Sequence, residues 1–268
     1  MEDKTLYNFS EGNLLFLRKR YLEPPHDYFS MHTHNIFELL YIIEGNVTHV
    51  IEDRKYKLRK GDVILIRPFQ YHFIQIDSPK ATYDRVDILF DIDNIDFDMS
   101  LISEKLNVLN ISAHPRLSDS FSKLDFYASK FENKDFMNIF KGILKEILYN
   151  LSLTEPEESS PETTPILTEA IRYINQNLFT LKDVKEISDA VFVTEGYLYK
   201  LFKQELHKGP KKYLTEKRIL AAQKKILFGE KPFAVFEKCG FSDYTTFYRC
   251  YVKYFGHPPS EENRNILL

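Results

Sequence analysis

Toward its end the sequence reads Gly240-Phe241-Ser242-Asp243-Tyr244-Thr245-Thr246-Phe247-Tyr248-Arg249-Cys250-Tyr251 and, after three more residues, Phe255-Gly256-His257-Pro258. A serine or aspartate such as Ser242 or Asp243 is typical of a helix N-cap. Phe247, Tyr251 and Phe255 then recur at helical spacing, which places them on one face. The stretch therefore predicts a glycine turn followed by a helix with an apolar inner side.

A similar pattern lies upstream. A predicted helix carries Leu198, Leu201 and Phe202, together with Tyr197, on its apolar face, and Gly209-Pro210 follows its end. A long helix connects this pattern to the later one. Residues 166–255 therefore predict about seven helices, arranged as two similar helix-turn-helix halves.

The N-terminal part has the texture of strands. Short apolar or alternating runs, separated by turn-forming residues, recur between residues 6 and 95. The runs are 14–17, 38–43, 47–51, 63–66, 72–76 and 86–90. Such spacing favours a sandwich or a small barrel. Residues 117–152 change to helical periodicity, and the helix at about 134–152 is long enough both to cover the barrel and to pair with a second copy.

Length and composition favour two ordered domains. The chain has 268 residues, of which 43% are hydrophobic and 28% charged, and this balance excludes disorder over the whole length. No run of about 18 apolar residues predicts a membrane span. The first residues lack the apolar core of a secretory leader. The two cysteines, Cys239 and Cys250, are expected to be small buried hydrophobes and fit a reducing cytoplasm.

An acidic segment with three prolines and four glutamates covers residues 154–165. It has too little apolar surface to offset its ordering entropy, so we expect an exposed linker. The predicted domains are residues 1–153 and 166–268. The segment 162–268 carries 17 Lys or Arg against 13 Asp or Glu, whereas the whole chain has a net charge of −3. A basic C-terminal part on an acidic chain indicates a polyanionic partner.

The C-terminal motif resembles the AraC/XylS family of bacterial transcription regulators over about residues 166–264. The motif consists of Phe202-Lys203, Pro210, Tyr213-Leu214, Arg218, Ala222, Gly240-Phe241-Ser242-Asp243, Phe247, Phe255-Gly256 and Pro258. The resemblance implies an all-α DNA-binding domain whose two recognition helices enter the major groove.

The resemblance also implies roles for individual residues of these two helices. Base-contacting positions are matched by Gly196, Tyr199, Lys200, Tyr244, Thr245 and Arg249. Phosphate contacts are then expected from Thr194, Lys203, Thr246 and Lys253, which set register rather than sequence preference. The sequence departs from the family pattern at Phe192 and Phe236, where small residues are usual. Two further departures are Gly196, which has no side chain, and Glu195, which brings a negative charge to DNA.

Two N-terminal segments are similar to the paired motifs of the cupin superfamily. They contain His32-x-His34-x3-Glu38-x6-Gly45 and Gly61-Asp62-x5-Pro68-x3-His72. In a strand, His32, His34 and Glu38 share one face. Three imidazoles and one carboxylate suit Zn, Fe, Mn or Ni. A small-molecule pocket without metal and a self-satisfied His–Glu pair remain alternatives. His26, His49, His114, His207 and His257 show no partner spacing and are expected at the surface or in turns.

The fold expected is thus an α+β two-domain chain, with a cupin-like β-barrel and following helices ahead of an all-α domain with two helix-turn-helix motifs. The function expected is a cytoplasmic transcription activator, not an enzyme, that senses a small molecule. Its expected partners are promoter DNA, a second copy bound through the helix at 134–152, and RNA polymerase. The alternative is a metal-binding cupin sensor or enzyme whose degenerate DNA-binding domain acts through a protein partner.

Overall fold

The computed structural model describes residues 4–22, 32–52, 54–77, 81–155, 164–206 and 208–262. Contacts between residues divide the chain into two units, and the boundary between them along the sequence lies close to residue 161. Each unit is described separately. Most of the predicted linker lies outside the described residues, apart from Thr154, Glu155 and the start of the first C-terminal helix.

The described residues of the N-terminal unit form nine strands in two antiparallel sheets. The strands are β1 (Lys4–Glu11), β2 (Leu14–Tyr21), β3 (Phe37–Glu44), β4 (Val47–Ile51), β5 (Arg54–Leu58), β6 (Asp62–Ile66), β7 (His72–Ile76), β8 (Tyr83–Phe90) and β9 (Val108–Asn110). The larger sheet has the order β1-β2-β8-β3-β6-β9 and the smaller one β5-β4-β7.

This arrangement confirms the fold class but corrects the predicted closed barrel to two sheets. Closure requires every edge strand to find a hydrogen-bonded neighbour. In the described residues, β1 and β9 at the edges of the larger sheet each pair on one side only. The smaller sheet gains one extra bridge, in which the backbones of His32 and His72 exchange two hydrogen bonds of 3.0 Å.

The larger sheet is buried on both faces. Leu39, Val86 and Ile88 lie in a core shared with two helices, α1 (Pro115–Ala128) and α2 (Asn133–Ser152). Leu40 and Ile42, with alternate parity, pack instead toward the smaller sheet. Because side chains alternate along a strand, this arrangement decides which residues of β3 and β8 face the interior of the sandwich.

The apolar side chains of helix α2 are buried inside its own domain. Eight of its side chains are buried: Phe136, Met137, Phe140, Ile143, Leu144, Ile147, Leu148 and Leu151. Phe136 and Phe140 stack on each other, and the ring of Phe16 of β2 packs against both at an angle, with ring centres 5.0 and 5.6 Å apart. The side of α2 that a second copy could contact is mostly polar. Tyr149 on the helix and Leu153 directly after it are exposed.

The C-terminal unit is helical. Its helices are α3 (Pro165–Gln176), α4 (Val184–Ala190), α5 (Glu195–Leu206), α6 (Pro210–Leu227), α7 (Pro232–Val235) and α8 (Tyr244–Phe255). Among the described residues, no helix combines the length and the apolarity needed to cross a membrane. Cys239 is buried in the core beside α8, and burial raises the pKa of its thiol to about 11.

Arg218 of α6 ties the two helical halves together. Its guanidinium donates hydrogen bonds to the carbonyls of Leu178 and Leu181, at 2.7 and 2.5 Å, in the segment between α3 and α4. The same guanidinium packs against Gly240 in the second turn, where a Cβ would lie 2.9 Å from it. Gly240 has φ +77°, so both its backbone and its surroundings require glycine.

The turn between α4 and α5 places a phenylalanine where the second turn has glycine. Phe192 has φ +56°, in the left-handed region that disfavours bulky residues. Its side chain is 95% exposed, so packing does not compensate for the strain. The family pattern usually has a small residue at this position, and the left-handed backbone is the physical reason for that preference.

Replacing Phe192 with glycine should stabilise the chain. The left-handed backbone costs a non-glycine residue about 1–2 kcal/mol, and an almost fully exposed ring loses nearly no burial. We expect Phe192→Gly to raise the free energy of unfolding by about 1 kcal/mol, measured by urea denaturation. Gly240→Ala is the matched control and should lower it, because the new methyl meets Phe179 and Arg218. A destabilised Phe192→Gly variant would contradict this account.

Candidate functional site

Helices α5 and α8 are equivalent elements of the two halves. Each has twelve residues, and in each the fourth and eighth side chains are fully buried. These are Leu198 and Phe202 in α5, and Phe247 and Tyr251 in α8. The same residues that anchor each helix therefore fix which of its faces remains exposed.

Both helices also begin in the same way. The hydroxyl of Thr194 accepts a hydrogen bond from the backbone N–H of Tyr197, at 3.2 Å. Asp243 accepts one from the N–H of Thr246, at 2.7 Å. Such caps satisfy N–H groups that the first helical turn leaves free. Hydrogen bonding by the cap lowers the pKa of Asp243, so this carboxylate is charged at neutral pH.

The structure places most predicted DNA-contacting residues on the exposed faces. The residues exposed to solvent are Gly196, Tyr199, Lys200, Thr245 and Arg249 among the base-contact candidates, and Thr194, Lys203 and Lys253 among the phosphate candidates. Thr246 is half-buried. Lys200 and Arg249 occupy the sixth position of their helices, so each half presents one cation at the same place.

Two residues of these motifs differ from the prediction. Tyr197 was expected on the apolar face of α5, yet it is exposed, because the buried positions are Leu198, Leu201 and Phe202. Tyr244 was expected to face outward, yet it is half-buried. Its ring lies 5.3 to 5.8 Å from the rings of Phe233, Phe236 and Phe247. The bulky Phe236 thus supports Tyr244 where the family pattern has a small residue.

In the N-terminal unit, four predicted residues converge in one cluster, in which Glu38 and His72 are buried, His34 is half-buried and His32 is exposed. The ligating atoms of His32, His34, Glu38 and His72 all lie within 4.8 Å of one another. Oε2 of Glu38 lies 2.9 Å from Nε2 of His34 and 3.1 Å from Nε2 of His72. The rings of His32 and His72 are 4.2 Å apart. Strands β3 and β7 therefore bring together two sequence motifs that are far apart along the chain.

The backbone orients two of these imidazoles. His34 donates from Nδ1 to the carbonyl of Ile36 at 2.8 Å, and His72 donates from Nδ1 to the carbonyl of Gln70 at 2.9 Å. In a neutral imidazole the other nitrogen is then a lone-pair acceptor. Two such acceptors face the Glu38 carboxylate, so the centre of the cluster needs a positive charge: added protons or a cation.

Glu38 is charged in spite of its burial. Burial by itself would raise its pKa, but the contacts with His34 and His72 hold the pKa well below the ordinary value. The residues present also fit a divalent metal. Two ligands about 2.1 Å from one ion lie at most about 4.2 Å apart, so small side-chain rotations would bring all four donors into range.

His49 is a site residue that the sequence reasoning missed. It was expected at the surface or in a turn, but it is 1% exposed, on β4, with its ring 5.8 Å from that of His72. Neither of its ring nitrogens has a hydrogen-bond partner among the described residues. Burial and the neighbouring His72 lower its pKa well below the usual value, so it is neutral. Its parity with Val47 and Ile51, which face the sandwich interior, was the available clue.

Beside His49, β8 contributes a buried charged pair. Arg85 donates to Asp87 at 3.0 Å, and its guanidinium lies 5.4 Å from the centre of the Tyr83 ring. Oδ1 of Asp87 has no partner among the described residues. Burial, opposed by Arg85, raises the pKa of Asp87 to about 6. The interior of the sandwich therefore offers acceptors, a donor and aromatic surface.

The remaining histidines of the prediction lie elsewhere. His114 occupies the N-cap position of α1 without a side-chain cap, and Nδ1 of His257 lies 3.0 Å from the carbonyl oxygen of Pro258. His26 and His207 fall outside the described residues. Of the five histidines expected at the surface or in turns, His49 alone joins the cluster among those described.

Comparison with known proteins identifies both units. Residues 14–124 match the family described as the AraC-like ligand binding domain, and residues 187–265 match the helix-turn-helix domain family. The raffinose operon transcriptional regulatory protein RafR of Pediococcus pentosaceus is 23% identical, covering 99% of this chain and 98% of its own. The transcriptional activator RhaR of Mannheimia succiniciproducens is also 23% identical, covering 95% and 93%.

Among solved structures, ToxT from Vibrio cholerae O395 is similar at 12% identity, covering 93% of this chain and 96% of its own, with a TM-score of 0.38. The matched families account for both the strand-rich and the helical unit, and the full-length relatives are transcription regulators. These findings favour the regulator over the alternative of a cupin enzyme or sensor. The chain belongs to the AraC family of transcription regulators, with a ligand-binding domain followed by a helix-turn-helix DNA-binding domain.

Proposed function

We propose that this chain is an activator that reads promoter DNA with α5 and α8 and responds to a small molecule held in the sandwich of its N-terminal unit. The observation that carries the proposal is the equivalence of the two recognition helices. Both are capped, anchored at the same positions and exposed on the same face, with Lys200 and Arg249 at matching places. The name of RhaR, an activator, supports activation.

The proposed base contacts are Gly196, Tyr199, Lys200, Tyr244, Thr245 and Arg249, of which the two cations are the strongest readers. Arginine and lysine bind the O6 and N7 atoms of guanine in the major groove. Gly196 has no side chain and offers only its backbone, and the half-buried Tyr244 offers a ring edge. Thr194, Lys203, Thr246 and Lys253 hold phosphates.

The proposed effector site is the cluster of His32, His34, Glu38 and His72, which is exposed at His32, extended by the buried His49 and Asp87. His49 can donate one hydrogen bond and accept another, and Oδ1 of Asp87 is an acceptor with no partner in the described part of the chain. A hydroxyl-bearing effector could satisfy both, because a hydroxyl donates and accepts. A divalent metal such as Zn²⁺ is proposed for the four-residue centre. It would neutralise the converging acceptors and could coordinate an effector oxygen.

The proposed assembly is a homodimer that contacts RNA polymerase. The buried stripe of α2 cannot serve both its own domain and a partner, so the dimer contact assigned to that helix would rest on its exposed side near Tyr149 and Leu153. Both partners remain predictions.

DNA readout is tested by selecting duplexes from a random pool with the full chain and measuring affinity by fluorescence anisotropy. Lys200→Ala and Arg249→Ala should each weaken the selected site about 10- to 100-fold, the cost of losing a good base contact. Lys203→Ala and Lys253→Ala should weaken all sequences alike and reduce the salt slope by about 0.9 each.

Lys182→Ala is the matched control, because Lys182 is an exposed cation ahead of α4 and outside both recognition helices. Sequence-specific affinity that survives the double change Lys200→Ala with Arg249→Ala would contradict the proposed readout.

The effector site is tested through the stability of the chain without effector. His49→Leu should raise the free energy of unfolding by about 1 kcal/mol or more, because each buried polar group without a partner costs about 1–3 kcal/mol. His72→Leu, the control on the neighbouring strand, should lower the free energy of unfolding, because leucine cannot donate the hydrogen bond that His72 makes to the Gln70 carbonyl. Urea denaturation at pH 7.5 or so, where His49 is neutral, provides the measurement. A less stable His49→Leu variant would show that His49 is satisfied within the fold.

Metal binding is tested on protein purified without a histidine tag. Elemental analysis should find close to one Zn²⁺ or similar ion per chain. Added Zn²⁺ at 100 times its Kd should stabilise the folded chain by about 2.7 kcal/mol, read as a higher Tm. Glu38→Gln and His72→Ala should abolish this shift. A metal content far below one per chain, not restored by adding metal, would leave protons as the charge that balances the cluster.

A further inference from the structure

We infer that Tyr199 and Tyr248 read the methyl groups of thymines, so that each helix-turn-helix motif prefers a thymine next to the base read by Lys200 or Arg249. The inference rests on the proposed function, because it assumes that α5 and α8 lie in the major groove. It adds the chemical class of base that the two tyrosines recognise, and it adds Tyr248 to the reading surface.

Half of the ten exposed Phe and Tyr side chains among the described residues lie on the two motifs: Phe192, Tyr197, Tyr199, Phe233 and Tyr248. Large apolar side chains at the surface cost hydration free energy, and a group of them marks a binding surface. Here Tyr199 and Tyr248 are exposed on the same two helices as the exposed cations Lys200 and Arg249. Duplex DNA is therefore the occupant that the surrounding charge favours.

Tyr199 and Tyr248 occupy the same position, the fifth residue of their helices. The first is 52% exposed and the second 39%. Each immediately precedes the cation of its helix, so both motifs carry a tyrosine followed by a cation. This repetition in two halves with different sequences indicates a shared role rather than an accident of the surface.

Both rings are held in place by neighbours. The ring of Tyr199 lies on Gly209, where a Cβ would come within 2.7 Å of it, and Nζ of Lys203 is 5.7 Å from the ring centre. The ring of Tyr248 is 6.2 Å from that of Tyr244, which rests on Phe236. Rings that are already oriented lose little entropy when they meet a base edge.

The chemistry of the exposed face selects thymine. Adenine is read by Asn or Gln, which bind its N6 and N7 atoms together. The first six residues of the two helices contain neither: Glu195-Gly196-Tyr197-Leu198-Tyr199-Lys200 and Tyr244-Thr245-Thr246-Phe247-Tyr248-Arg249. Thymine presents a C5 methyl in the major groove, and apolar surface recognises it. Aromatic rings at the fifth positions supply that surface.

The test replaces thymine with uracil, which removes only the methyl group. A duplex selected by the full chain is synthesised with uracil at single thymines, and its affinity is measured by anisotropy. We expect the affinity to fall about fourfold for each methyl that a tyrosine covers, the factor that corresponds to about 0.8 kcal/mol per buried methyl-sized group. The sensitive thymines should lie beside the guanines of both half-sites.

Variants assign the effect to the rings. Tyr248→Ala should bring the thymine-to-uracil ratio to one in the half-site of α8 and leave it unchanged in the other, and Tyr199→Ala should do the reverse. Tyr248→Phe should keep the ratio, because a methyl contact does not need the hydroxyl. Phe228→Ala is the control, since Phe228 is exposed but outside both recognition helices. It should change neither affinity nor ratio.

The outcomes separate this inference from the proposed function. Specific binding with equal affinity for thymine and uracil duplexes would overturn the inference and leave the proposed function in place. A ratio that persists in both alanine variants would overturn it too, because another group would then read the methyl. Alanine variants that bind DNA like the wild type would assign the aromatic surface to a protein partner. A chain that selects no sequence would overturn the proposed function itself.

Discussion

Burial of the larger sheet on both faces is the constraint on which the N-terminal unit depends. One face packs against α1 and α2, and the other packs against the smaller sheet. Because side chains alternate along each strand, the sheet cannot shift its register by one residue without exposing an entire apolar set. The same alternation carries Glu38 and Asp87 into the interior, where His49 and His72 meet them from the opposite sheet. The stability of the sandwich and the position of its polar cluster are thus consequences of one packing arrangement.

The C-terminal unit likewise depends on a small number of contacts. The fourth and eighth residues of α5 and α8 anchor the recognition helices, and Arg218 joins the two halves through carbonyls of one and the glycine turn of the other. These contacts leave the surface of both helices free for other purposes. Arg218 and Gly240 belong to the motif that carries the family resemblance. Each of them is required by packing or by backbone conformation, and together they connect both halves of the unit.

Some departures from maximal stability lie in or beside the proposed binding sites. Phe192 adopts a strained backbone and exposes its ring beside α5. Among the residues that the structure describes, His49 and Asp87 have buried polar atoms without partners in the interior of the sandwich. Local rules of folding are usually broken where function requires it. In the N-terminal unit these groups are buried polar atoms, which suit a small-molecule site. In the C-terminal unit the group is an exposed aromatic ring, which suits contact with base edges.

The sequence by itself determined the class of both units, most of the strands and helices, and the two recognition helices, because hydrophobic periodicity and capping residues are local properties. It also determined the set His32, His34, Glu38 and His72, through a resemblance rather than through spacing alone. Only the tertiary structure decided that the sheets remain two rather than one barrel, because edge pairing depends on strands far apart in the chain. It alone brought His49 to the cluster, since β4 must first pair with β7. It likewise exposed Tyr197 and covered Tyr244, because the choice between neighbouring positions on a helix depends on what packs against it.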